Sequence, residues 1–113
     1  MSRDDLISKT KQVLDLLVER RFEDLELLTG GIRLSKNEIA NAISNYGRHL
    51  VIPPTEGLRL MDIIEVRNSN PRRWSVVVPF WTIEEGRSDL SLELTLIEKD
   101  KILKVELDDI HVL

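Results

Sequence analysis

Few side chains in this sequence could do chemistry, and their spacing limits what that chemistry would be. Asp109 and His111 stand two residues apart. On an extended strand they share one face, where the carboxylate would hold the imidazole in its charged form. An ordinary surface pair is the simpler reading of the same spacing. Asp62 lies within Leu58-Arg-Leu-Met-Asp-Ile-Ile-Glu-Val66. Taken as a strand, that segment puts Leu58, Leu60, Ile64 and Val66 on one face and Met61, Ile63 and Glu65 on the other, and Asp62 falls on the face that reads as buried. A desolvated carboxylate there could act as a general base. A strand-end aspartate paired with Arg59 or Arg73 is the plainer alternative.

Other chemistries lack their residues. There is no cysteine, so disulfides, thiolate metal centres and cysteine nucleophiles are excluded together. The two histidines, His49 and His111, are far apart in the chain, and no metal-ligand spacing is legible around either. Gly30-Gly31 lacks the three spaced glycines of a dinucleotide fingerprint, and no phosphate or calcium loop is present. No serine occupies a Gly-x-Ser-x-Gly elbow. The sequence therefore predicts no metal and no cofactor, and it leans away from catalysis. Arg72, Arg73 and Trp74, with Arg67 close by, offer phosphate contacts beside one stacking aromatic. The acidic surroundings disfavour nucleic acid as a partner.

The charge is uneven along the chain. Its 113 residues carry a net charge of −4, yet residues 84 to 113 hold nine acids against four bases. Such a segment would attract a basic partner, because long-range potential steers association; a solvated sheet face is the alternative. The length suits one domain with a single core. The opening Met-Ser-Arg-Asp-Asp lacks the basic region and apolar run of a signal peptide. No stretch approaches the roughly 20 apolar residues of a membrane helix, so a cytoplasmic location with no membrane contact is the expectation.

Helices come first. Leu6, Val13, Leu14, Leu17 and Val18 recur at helical spacing and predict a helix over about 4–20, capped by Asp4 or Asp5. Phe22, Leu25 and Leu28 mark a second over 22–29, closed by Gly30. Ser35-Lys-Asn-Glu38 is a capping box that opens a third over 35–46. Strands follow at about 48–52, 58–66, 73–82, 89–98 and 102–113. The clearest is the run Leu90, Leu92, Leu94, Leu96, whose period of two belongs to a half-buried strand. The fold class is α+β, with helices on one face of a curved antiparallel meander.

Two irregularities can be placed in advance. Apolar positions step by two through Leu103, Val105 and Leu107, then by three to Ile110, so a β-bulge or bend is expected at Asp108-Asp109. Pro79 cannot donate to a ladder, so its strand is either an edge there or bulged.

The stretch from Val13 to Leu28, with the third helix and the long last strands, resembles the cystatin-like cone folds, the nuclear-transport-factor-two-like group. Arg72-Arg73-Trp74-Ser75-Val76 and Asp108-Asp109-Ile110-His111-Val112-Leu113 also resemble an uncharacterised bacterial family of small domains, which implies no activity. The cone resemblance implies a pocket between helices and sheet, and Asp62 would be its carboxylate.

Pairing Thr82 with Ser88 aligns Phe80, Val78, Val76 and Trp74 with Leu90, Leu92, Leu94 and Leu96 inside the core. The opposite face then carries Val77, Pro79 and Trp81 beside Thr95 and Ile97, with Met61 and Ile63 nearby. That is much apolar surface to leave in water. The expected function is a non-enzymatic interaction module of immunity or adaptor type. It would bind a basic protein partner, or a second copy, through Met61, Ile63, Val77, Trp81 and Ile97, with Glu93, Glu106 and Asp108 as electrostatic contacts. The alternative is a small-ligand pocket or cone-type enzyme that uses Asp62, Asp109 and His111.

Overall fold

Local signals start and stop the three N-terminal helices. In the computed structural model, which describes residues 1–113, helix α1 spans Arg3–Val18. Its cap is Ser2 and not Asp4 or Asp5: the Ser2 hydroxyl accepts from the Asp5 amide while the Asp5 carboxylate accepts from Ser2 N–H. Helix α2 covers Phe22–Thr29 and α3 covers Lys36–Tyr46. The capping box of Ser35 and Glu38 is formed, and Gly30 and Gly47 close these helices at φ 74° and 75°, where a side chain would be strained.

The sheet is antiparallel and curled, half-barrel-like. Its members are β1 (Leu50–Val51), β2 (Asp62–Glu65), β3 (Arg73–Thr82), β4 (Gly86–Lys99) and β5 (Ile102–Val112). Strand β3 pairs with β4 along one side and with both β1 and β2 along the other, and β5 continues the sheet beyond β4. The even-numbered side chains Trp74, Val76, Val78 and Phe80 meet Leu92, Leu94 and Leu96 in one buried layer against Leu14, Leu17, Leu25 and Ile39 of the helices. The odd-numbered side chains of β3 face the other way and remain partly exposed.

Both irregularities are present. On β5, Leu94 pairs with Leu107 but Glu93 pairs with Asp109, which leaves Asp108 as the extra residue of a bulge. On β3, the register slips between Pro79 and Trp81. Pro79 also lies in the gap between the stretch paired with β2 and the two residues paired with β1, so its missing N–H interrupts neither ladder. The slip shifts the hairpin. Thr82 pairs with Gly86 and not with Ser88, and Ser88, Asp89 and Leu90 together stand opposite Phe80. Farther along, Val78, Val76 and Trp74 pair with Leu92, Leu94 and Leu96 as the sequence predicts.

The segment 58–66 departs most from expectation. Thr55–Arg59 forms a short helix, α4, with Leu58 buried in it, and β2 begins only at Asp62. The helical turn changes the phase of everything after it. Asp62 pairs with Val77 and Ile63 with Val76, so Asp62 faces outward and Ile63 inward, the reverse of the faces expected for an unbroken strand. Met61 is buried in the core, whereas Leu60 and Ile64 are exposed. A shift of one residue is enough, since side chains alternate on a strand.

Polar contacts clamp the helical layer to the β3–β4 hairpin. Tyr46 at the end of α3 donates to Glu85 Oε1 at 2.6 Å and stands 2.7 Å from Ser88 Oγ; this hydroxyl holds the Glu85 carboxyl below the usual carboxylate range. Glu84 accepts from the His49 backbone N–H at 2.9 Å and lies 2.6 Å from His49 Nδ1. These contacts, the backbone N–H first, push its pKa from 4.5 down to about 2.

Two outcomes follow from this packing. Leu94→Ala removes a fully buried side chain from the central strand and is expected to lower unfolding free energy by about 3 kcal/mol in a denaturant titration. The Glu84 carboxyl is more acidic folded than unfolded, so its contribution is present above its ordinary pKa of 4.5 and is lost as the pH falls toward 2. Thermal unfolding of Glu84→Gln should lie below wild type at neutral pH, and the gap should close between about pH 5 and pH 2.

Candidate functional site

The helices α1, α2 and α3 shelter one side of the sheet, so the chemistry available to a partner lies on the other. There Val77, Pro79 and Trp81 of β3 run beside Asp62 and Ile64 of β2 and beside Glu93, Thr95 and Ile97 of β4. Val77, Trp81 and Ile97 are half-buried on this face as expected. Met61 and Ile63 are not on it, because α4 inverts their phase.

One part of the face carries its own cover. Helix α4 crosses Trp81 so closely that a Cβ built on Gly57 would lie 2.9 Å from the indole Nε1. Only a glycine admits that approach. Beside the indole, Pro54, Leu60, Pro79 and Arg87 line a crevice of about 230 Å³. The same Leu60, Pro79 and Arg87 line a neighbouring crevice of about 440 Å³ with Asp62, Val77, Asp89 and Ser91. Their shared walls make one groove across the outer face. The signal for its lid was in the sequence: Pro54 followed by Glu56 in the first turn is a helix start. The apolar alternation after Leu58 masked it.

Farther along the face the register brings three further groups together. Glu93 pairs with Asp109 and Ser91 with His111 across β4 and β5. His111 Nδ1 lies 3.0 Å from Asp109 Oδ2 and 3.6 Å from Glu93 Oε2. One ligand atom from each of the three lies within 4.8 Å of the others, the spacing a bound cation would need. Sequence spacing pairs Asp109 with His111. Glu93, sixteen positions away in the chain, joins them only through strand pairing.

The remaining acids divide. Asp108, pushed out by the bulge, accepts from Thr95 Oγ1 at 2.6 Å and has Arg33 Nε at 3.5 Å, so it is engaged within the chain. Glu106 lies half-buried opposite Thr95. Asp62 is exposed on the groove wall and faces no cavity between helices and sheet. A desolvated general base at that position is thereby corrected: the phase shift at α4 turns its carboxylate to water.

The basic cluster is also spoken for. Arg72 makes two bonds to Glu65, at 2.9 and 3.0 Å, and its guanidinium sits 4.9 Å from the centre of the Trp74 ring. Trp74 itself is 4% exposed, which leaves no face for a base to stack on. Arg73 donates to Ser69 Oγ.

Residues 14–113 match the family profile described as a domain of unknown function (DUF7668). The chain belongs to this family. No curated protein and no solved structure matches it. The DUF7668 match takes in all five strands, the α4 lid and every residue of the outer face named above.

The lid gives a direct test. In a Trp74→Phe background, where Trp81 is the sole fluorophore of its kind, Gly57→Ala should push the indole outward and raise its quenching by acrylamide. Unchanged quenching would mean that α4 does not pack on the indole.

Proposed function

We propose that this domain is a non-enzymatic protein-interaction module that docks a basic segment of a protein partner along the outer face of its sheet. One observation carries the reading: helices α1, α2 and α3 cover one side of the sheet, and the other side, covered only over Trp81 by α4, combines half-buried Val77, Pro79, Trp81 and Ile97 with the carboxylates of Asp62, Glu93 and Asp109. An aromatic in a groove supplies affinity, and surrounding charge complementary to the partner's speeds and orients docking. The excess of acids from Glu84 onward favours a basic occupant over a neutral one. An immunity-type or adaptor role in a bacterial cytoplasm accords with these features, as does kinship with the cystatin-like cones. No helix is long and apolar enough to cross a membrane.

A second copy of the chain is the other occupant that exposed Leu60 and Ile64 would suit. A small-ligand pocket or enzyme based on Asp62 has less support. The crevice beside Trp81, about 230 Å³, opens onto a neighbour that is walled mainly by polar groups, whereas ligand sites are mostly apolar.

Light scattering on a size-exclusion column separates monomer from dimer. Calorimetric titration with extended peptides that place Lys and Arg beside aromatic residues, against peptides of equal length with the same aromatics and Asp and Glu instead, then tests the charge preference. Basic peptides should bind, and Trp81→Ala should weaken them by about 2 kcal/mol. Equal affinity for both sets, or a stable dimer that hides Trp81, would overturn the basic-partner reading.

A further inference from the structure

We infer that Glu93, Asp109 and His111 form a binding site for a divalent metal ion of the zinc class, on the same outer face as the Trp81 groove. The donor set is one imidazole and two carboxylates on adjacent strands of the sheet. Such a mixed set suits Zn²⁺ and its first-row neighbours, whereas Ca²⁺ and Mg²⁺ prefer oxygen alone.

All three ligand atoms already lie within 4.8 Å of one another. Bonds of about 2.0–2.2 Å in a tetrahedron place ligand atoms roughly 3.3 Å apart. The separations from His111 Nδ1, 3.0 Å to Asp109 Oδ2 and 3.6 Å to Glu93 Oε2, bracket that value. The ligands also stand on rigid strands, and the bulge is what aligns them. By absorbing Asp108 it sets Asp109 opposite Glu93. Asp109 Oδ1 then accepts from Ile110 N–H at 2.9 Å, which fixes the carboxylate and leaves Oδ2 aimed at the imidazole.

An independent observation concerns His111. Its Nδ1 is shut off from solvent and makes no hydrogen bond, although the side chain is 33% exposed and a carboxylate oxygen stands 3.0 Å away. A shielded ring nitrogen without a hydrogen-bond partner is uncommon, and a metal ion at the centre of the cluster would satisfy it. The competing occupant is a proton: an imidazolium held between two carboxylates has the same three residues in the same places. Three protein ligands would leave a fourth position of a tetrahedron to water or another exchangeable group.

Calorimetric titration of the full chain with Zn²⁺ in a non-chelating buffer tests this, with Co²⁺ as a second probe read by its visible absorption. One ion should bind per chain, raise the unfolding temperature and give Co²⁺ bands shaped by one nitrogen ligand. His111→Gln and Glu93→Gln should each weaken binding by at least about tenfold while circular dichroism stays that of the wild type. His49→Gln, which alters the pair with Glu84 on the hairpin, should leave binding unchanged. Absence of saturable binding, or affinity indifferent to His111→Gln, would overturn the site. Trp81→Ala should not alter Zn²⁺ uptake, which separates failure of the indole groove from failure of the metal site, although the two readings share the carboxylates of Glu93 and Asp109.

Discussion

The fold depends on one-sided burial of a long antiparallel sheet. Leu92, Leu94 and Leu96 on β4 are completely withdrawn from water, and they pack between Trp74, Val76 and Val78 of β3 and Val105 and Leu107 of β5. Apolar area removed from water is the main stabilising term in a domain of this size. Because strands alternate, committing this set of side chains to the helices commits the other set to the outside. The outer face is thus a direct consequence of how the core is built.

Departures from regular pairing then decide what that outer face offers. The bulge at Asp108 sets Asp109 against Glu93 and moves His111 into register with Ser91. The slip at Pro79 lets β4 place three residues opposite Phe80, and the tight hairpin that results carries Glu84 and Glu85 to His49 and Tyr46. Each irregularity re-aims polar side chains while the apolar layer beneath stays continuous. A regular ladder with the same composition would scatter these groups.

Helix α4 plays a comparable part at the other end of the face. It buries Leu58, exposes Leu60 and rests Gly57 on the indole of Trp81, converting a flat apolar strip into a groove with a wall. It also reverses the facing of Met61, Asp62 and Ile63. That single turn leaves the Asp62 carboxylate exposed on the outer face and Met61 in the core.

Much of this was legible in the amino-acid order. The capping box at Ser35, the terminating glycines, the period-two leucines and the phase break at Asp108-Asp109 are all local patterns, and local physics governs them. The facing of residues 58–66 was not legible, because a five-residue helix and a strand compete for the same short apolar run and long-range contacts choose between them. Nor could the chain order reveal that Glu93 joins Asp109 and His111, or that Gly57 lies against Trp81. Such proximities belong to pairs distant in sequence, and only strand register and helix packing in three dimensions bring them together.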